Sequence, residues 1–310
     1  MRFFILLCLF NFSACSVNQS SPITEQPFTP SPEFSSYWYQ GQAEITRYEL
    51  TQARYGELRK GNAILVFVTE DFLTEKQVKL ENYTPDSKAH AIPVLKLNFV
   101  SNFNTGIYSY SPMVSVFMPL DTSRYRYPIK ITGSVQEWCG LVYTQINHRN
   151  NKFDVQSYSY FEKEGDESYP LEPAWLEDAL WTKGRLGPTA LPTGRIRIIP
   201  GLTQSRFLHR HLDVESAEAS LQELPDDHGQ AGPIISYKIE YKSYDRTLII
   251  NFKKSWPHEI TSFEGIYMDG FGEKAKKLHS IGIRTHTIKT NYWTKNTNAD
   301  STYRELLGFK

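Results

Sequence analysis

Cysteine is scarce in this 310-residue chain: Cys8, Cys15 and Cys139 are the only three. A disulfide-stapled scaffold is thereby excluded. Excess charge is missing too. Lys and Arg together number 34, as do Asp and Glu, and no dense Lys/Arg run occurs. Binding to nucleic acid rests on excess positive charge and is disfavoured. No apolar run approaches the ~20 residues that a membrane-spanning helix needs. Also absent are a Gly-rich phosphate loop, a Gly-x-Ser-x-Gly elbow and a His-Glu-x-x-His helix. What is plentiful is core-forming material. Hydrophobic residues make up 40% and aromatic residues 14%, with 19 Tyr, 18 Phe and 6 Trp, so the chain can bury a core. The bias toward Tyr, Phe, Val, Ile and Thr favours strands.

The N-terminus reads as an export address. Arg2 precedes an apolar stretch from Phe3 to Phe12 broken only by Asn11, and small Ser13 and Ala14 stand directly before Cys15. This is the layout of a secretory signal. The stretch Phe12-Ser13-Ala14-Cys15 resembles a bacterial lipobox, with Phe12 in the place of the usual aliphatic residue. The resemblance implies that residues 1–14 are a signal peptide and that Cys15 is lipidated. The acyl chains would then be the membrane attachment. Losing Arg2 leaves 33 basic against 34 acidic residues, a net charge of −1. Residues 15–36 hold Pro22, Pro27, Pro30 and Pro32 among Ser, Gln and Thr and read as an extended tether. In Bacteroidota lipoproteins, acidic residues just after the cysteine favour display on the cell surface. Ser16-Val17-Asn18-Gln19 has none, which points to the cell envelope facing the periplasm.

Residues 37–310 read as one mostly-β domain. Gly41–Leu50, Val94–Phe99, Gly106–Tyr110 and Met113–Met118 are strand-like, the last two parted by Pro112. Ala63–Thr69 is a continuous apolar run, the mark of a strand covered on both faces. Ser134–Ile146 and Phe153–Phe161 flank a polar turn at residues 148–152, and Ile234–Tyr241 and Thr247–Phe252 flank another at 242–246. Further strands are expected at Arg195–Ile199, Phe207–Leu221 and Ile281–Ile288. Two short helices are expected. One begins near Pro173, with Trp175/Ala179 and Leu176/Leu180 on one face. The other, at the C-terminus, is capped by Asp300 or Ser301, anchored by Leu306 and Leu307 and ended by Gly308. The fold class is therefore mainly β: a long antiparallel meander forming a curved half-barrel or two packed sheets. The stretch Gly187–Gly194 is a possible divide between two β subdomains.

Three groups of residues offer chemistry. On a strand, His209, His211, Asp213 and Glu215 would share one face. Two imidazoles and a carboxylate can hold Zn, Fe or Mn, so His209, His211 and Glu215 form a candidate metal site. The His-x-His with Glu four residues on resembles part of the first cupin motif, without its flanking glycines or the second motif. Cys139 needs a nearby base to act as a nucleophile, and Glu137 would raise its pKa. Gly140 reads as allowing close approach of Trp138 or a local bulge. The aromatic side chains Trp138, Tyr143, Tyr158 and Tyr160 are candidates to bind an apolar ligand, or to stack on a sugar or peptide. The acidic clusters Glu70-Asp71, Glu162/Glu164/Asp166/Glu167 and Asp226-Asp227-His228 read as solvated turns.

Taken together, the lipobox, Gln52-Ala53-Arg54-Tyr55-Gly56-Glu57, Gln136-Glu137-Trp138-Cys139-Gly140 and Tyr292-Trp293 resemble a family of Bacteroidota lipoproteins with no established activity. Some members carry the label "septum formation inhibitor Maf". True Maf proteins are α/β nucleotide pyrophosphatases with a Ser-x-x-Pro-Arg-Arg motif, and no Pro-Arg-Arg occurs here. The meander also resembles, at the level of fold alone, periplasmic half-barrel lipoproteins that handle lipids, such as the outer-membrane lipoprotein receptor. The expectation is a non-enzymatic envelope lipoprotein, without a required cofactor, that binds a small apolar ligand or an envelope protein on a curved sheet. The alternatives are a metal-dependent enzyme at His209, His211 and Glu215, and a structural scaffold.

Overall fold

The computed structural model describes residues 28–226, 229 and 232–309. The expected signal peptide, Cys15 and the first part of the tether lie outside them. Strands dominate. They are β1 (Ala43–Arg54), β2 (Glu57–Leu73), β3 (Val78–Lys79), β4 (Ala91–Thr105), β5 (Tyr108–Pro119), β6 (Lys130–Glu137), β7 (Gly140–Arg149) and β8 (Lys152–Tyr158). The second half adds β9 (Glu167–Leu171), β10 (Trp175–Leu176), β11 (Gly194–Ile199), β12 (Glu215–Leu224), β13 (Ile234–Tyr241), β14 (Arg246–Lys253), β15 (Ile260–Asp269) and β16 (Lys276–Thr290). Among the described residues five α-helices punctuate them: α1 (Pro32–Trp38), α2 (Pro85–Ala89), α3 (Glu177–Leu186), α4 (Leu202–Phe207) and α5 (Tyr303–Leu306).

All the strands belong to one 16-stranded sheet, ordered from β10 through β16, then β1, and on to β9, with β3 beside β2. Neighbours pair antiparallel except β10 with β11. The first and last long strands, β1 and β16, are partners in its middle. Its two edges, β9 and β10, do not pair with each other, so the sheet is an open, curved half-barrel. Leu171 ends one edge and Trp175 begins the other. Four residue steps hold those ends within about 14 Å. Residues 187–194 run from α3 to β11 inside this single sheet, and Leu191 is part of its main core. They do not divide two subdomains.

The antiparallel order sends the β1–β2, β4–β5, β6–β7, β8–β9 and β15–β16 turns to one end, called the rim below. The chain enters at the opposite end. There the Phe28 amide donates to Thr122 Oγ1, and Phe34 and Trp38 of α1 are buried. The expected tether therefore ends earlier than residue 36. Ser31 caps α1 and Pro32 occupies its first turn, where a missing N–H costs nothing.

Helix α3 lies in the concavity, buried from Glu177 to Leu186 apart from Asp178. Trp181 packs against Phe99 of β4 and Phe263 of β15. Two buried ion pairs tie its ends to the sheet. Arg185 donates twice to Glu44 at 2.5 and 2.7 Å, and Glu177 accepts twice from Arg246, together with the Tyr241 hydroxyl at 2.6 Å. The outer face of Ala63–Thr69 is covered too, because Ile64, Val66 and Val68 cluster with Leu307 of the C-terminal segment. Pro112 does not end β5. Its missing N–H falls where the ladder to β4 skips a step, while the pairing to β6 continues.

Candidate functional site

A well-formed cavity lies at the rim. It measures about 590 Å³, within the range of small-molecule sites. Its inner wall is the concave face of β7 and β8, with Val142, Thr144 and Ser157. Its second wall is the stretch from Leu202 to Leu212, and its third is the arm at residues 161–169. The site thus occupies the seam left by the unpaired sheet edges. Side-chain contacts bridge the seam in place of a ladder. Tyr169 of β9 stacks on His211 at 4.4 Å between ring centres and donates to Leu212 O.

The second wall is where the sequence misleads. Residues 202–207 form α4 and residues 209–214 a connection, so β12 starts only at Glu215. His209 adopts φ +51°, in the left-handed region that breaks any strand. The alternation that would put His209, His211 and Glu215 on one face therefore does not exist. His209 and His211 nevertheless both line the pocket. Glu215 faces Arg210 at 2.7 Å and Ser243 instead. Among the described residues, no group of three or more His, Cys, Asp or Glu side chains is arranged to hold a metal ion.

The imidazoles engage carboxylates from the supposed solvated turn. His209 Nδ1 lies 2.5 Å from Glu164 Oε1, and His211 Nε2 lies 3.3 Å from Glu167 Oε2. Burial first, and then the nearby Arg206 charge, hold the His209 pKa below its ordinary value. Because a carboxylate only accepts, the imidazole is the donor to Glu164. Arg206 also reaches Glu164 and lies over the Phe161 ring at 4.1 Å. Desolvation lowers the Arg206 pKa. The pocket is thus amphipathic: apolar at Val142, Phe161, Leu202 and Leu212, hydroxylated at Thr144, Ser157 and Ser205, and lined with mutually compensating charges.

The four aromatic candidates stand outside this cavity. Tyr143 and Tyr158 pair across β7 and β8 on the outer face, their ring centres 6.5 Å apart. Trp138 forms the two-residue β6–β7 turn with Cys139. Tyr160 lies on Gly140, where a Cβ would meet its ring at 2.7 Å, so the glycine admits Tyr160 rather than Trp138. Cys139 is exposed, and its amide donates to the buried Glu137 carboxylate. A hydrogen bond to Glu137 and its charge push the thiol pKa up, which opposes a nucleophilic role.

The concavity itself is filled. Beside α3 remains a cavity of only about 110 Å³, lined by Glu177, Asp178, Trp181, Gln204 and Phe263 among others. Asp178 accepts from the Leu202 amide at 2.9 Å, tying α3 to the start of α4. Desolvation of the half-buried carboxyl between α3 and α4, and neighbouring Glu177, push its pKa up to about 7. Among the described residues, no helix is long and apolar enough to cross a membrane. No protein-family model, no curated protein and no solved structure matches the chain.

Proposed function

We propose that the protein is a cell-envelope lipoprotein, held by an acyl anchor on Cys15 and facing the periplasm, that acts by binding rather than by catalysis. Its ligand is lipid-like and amphipathic and sits in the rim pocket, not in the concavity. The contrast between the two cavities carries this reading. The concavity is closed by α3 and its buried ion pairs, whereas the rim offers about 590 Å³ of mixed apolar and polar lining. Membership of the Bacteroidota lipoprotein family is part of the same proposal. Two of the segments behind that resemblance, Gln52–Glu57 and Gln136–Gly140, form rim turns near this pocket.

The test is native mass spectrometry of the full chain purified gently from its own envelope. The expected spectrum contains a non-covalent lipid adduct, lost on denaturation, above a covalent acyl mass that Cys15→Ser removes. Ser157→Trp, which fills the pocket from its inner wall, lowers adduct occupancy by about tenfold. A protein without adduct, or an adduct indifferent to Ser157→Trp, overturns the pocket assignment.

A further inference from the structure

The rim carries a chain of aromatic contacts. Ring centres follow one another from Tyr160 to Phe161 at 5.4 Å, to His209 at 5.5 Å, to Phe271 at 5.9 Å and to Tyr55 at 6.3 Å. The chain continues to Tyr110 at 6.4 Å, Tyr108 at 5.8 Å and Trp138 at 6.3 Å. Its two ends come together again, because Tyr160 rests on Gly140, two residues beyond Trp138. Phe161, His209 and Phe271 belong also to the pocket lining, so this arc borders the pocket on one side.

Tyr110 anchors the arc in the core, while Trp138, Tyr160 and Phe271 stand out from it into solvent. Five large apolar side chains among the described residues are at least 60% exposed: Ile107 at 85%, Trp138 at 70%, Tyr160 at 65%, Tyr83 at 61% and Phe271 at 60%. All but Tyr83 stand at the rim, each on a different turn: β4–β5, β6–β7, β8–β9 and β15–β16. Exposed apolar groups concentrated in one place mark an interaction surface.

We propose that this aromatic rim docks on a lipid bilayer, its tips entering the interfacial layer beside the pocket. The shape of the surface selects the occupant. A protein interface buries a contiguous, close-packed patch. Here the exposed side chains stand on four separate turn tips with gaps between them, which a flat protein face cannot dry but a fluid interface can. Trp and Tyr combine an apolar body with a polar tip and favour that layer. No single sign of charge drives the contact, because the rim carries both: the β8–β9 arm is acidic at Glu162, Glu164, Asp166 and Glu167, and the β15–β16 turn basic at Lys274, Lys276 and Lys277. The inference goes beyond ligand binding and stands even if the pocket holds none.

The test is vesicle flotation of residues 15–310 with Cys15→Ser, the chain expected after signal removal but without acyl anchoring. The probes are vesicles of phosphatidylcholine and of phosphatidylethanolamine mixed with phosphatidylglycerol. The chain is expected to float with both, to show a blue-shifted tryptophan emission, and to stay bound at ~1 M salt, where surface charge is screened. Trp138→Ser with Phe271→Ser weakens binding by about tenfold or more. Tyr83→Ser, at the opposite end, leaves it unchanged. If the double variant misfolds, Ile107→Ser reads the same surface from a fully solvated side chain. Absence of flotation, loss of binding in salt, rim variants that bind as well as the parent, or capture of an envelope protein without vesicle binding each overturns the proposal.

Discussion

Asp178 sits where α3 begins, beside Glu177, with its carboxylate on the first amide of α4. Its folded pKa of about 7 lies above the ordinary value of 3.8. The group's contribution to stability is therefore full below the unfolded value and is lost as pH rises through the folded one. Asp178→Asn keeps an acceptor for Leu202 and removes the charge. It is expected to raise the melting temperature at pH 8 and to narrow the gain between pH 8 and pH 5, as thermal melts across that range would register. His209 acts in the opposite sense. Its lowered pKa removes stability as pH falls below the unfolded value, so the variant comparison, not the parent curve, isolates Asp178. Cys139 gives a second test at this scale. A thiol-exchange reagent is expected to label it completely but slowly at pH 7, and Glu137→Gln to speed the reaction. An unchanged rate would show that Glu137 does not control the thiol. Single residues were legible where chemistry acts locally, as with Glu137 raising Cys139. Glu164 and Glu167 were not, because their imidazole partners lie 45 and 44 residues away and only the closing of the seam brings them together.

Helix α3 shows how tightly an element can be fixed by what surrounds it. A Cβ at Gly184 would stand 2.2 Å from the Phe252 ring, itself fully buried. Gly184→Ala is expected to cost about 1–3 kcal/mol despite alanine's better helix propensity. Denaturant melts that show stabilisation instead would refute this packing. Arg185→Met leaves the Glu44 carboxylate buried without its cation and is expected to cost about 3–5 kcal/mol. Adding Glu44→Gln recovers part of that loss, which a double-mutant cycle measures. The spacing around Ala179 and Leu180 announced a helix here, but Trp175 and Leu176, expected on its face, form β10 instead and α3 begins at Glu177. Alternation announced β13 and β14. The β6–β7 turn was invisible, since Trp138-Cys139 holds none of the Gly, Asn or Asp that signal a hairpin. Helix α4 was hidden differently: Phe207, Leu208 and Leu212 mimic a strand, while His209 with its positive φ breaks the run.

At the scale of the molecule, composition and short polar connections were enough to indicate a mainly β, antiparallel, curved architecture. They could not indicate that one sheet takes in every strand, because the β1–β16 ladder joins residues such as Ala43 and Thr290. Nothing local encodes a pairing of that separation, and sheets rich in such contacts fold slowly. The same ladder has a consequence for the covalent chain. No ladder crosses the short link at residues 172–174, so the sheet's open seam is also a place where the backbone is dispensable. A chain nicked there would keep every ladder, its halves joined through β1 and β16 and through α3, which the second half would insert into the first. Two separately expressed fragments should then complement one another into the native protein, as though the molecule were a clasp whose hinge lies at its termini and whose fastening lies mid-chain.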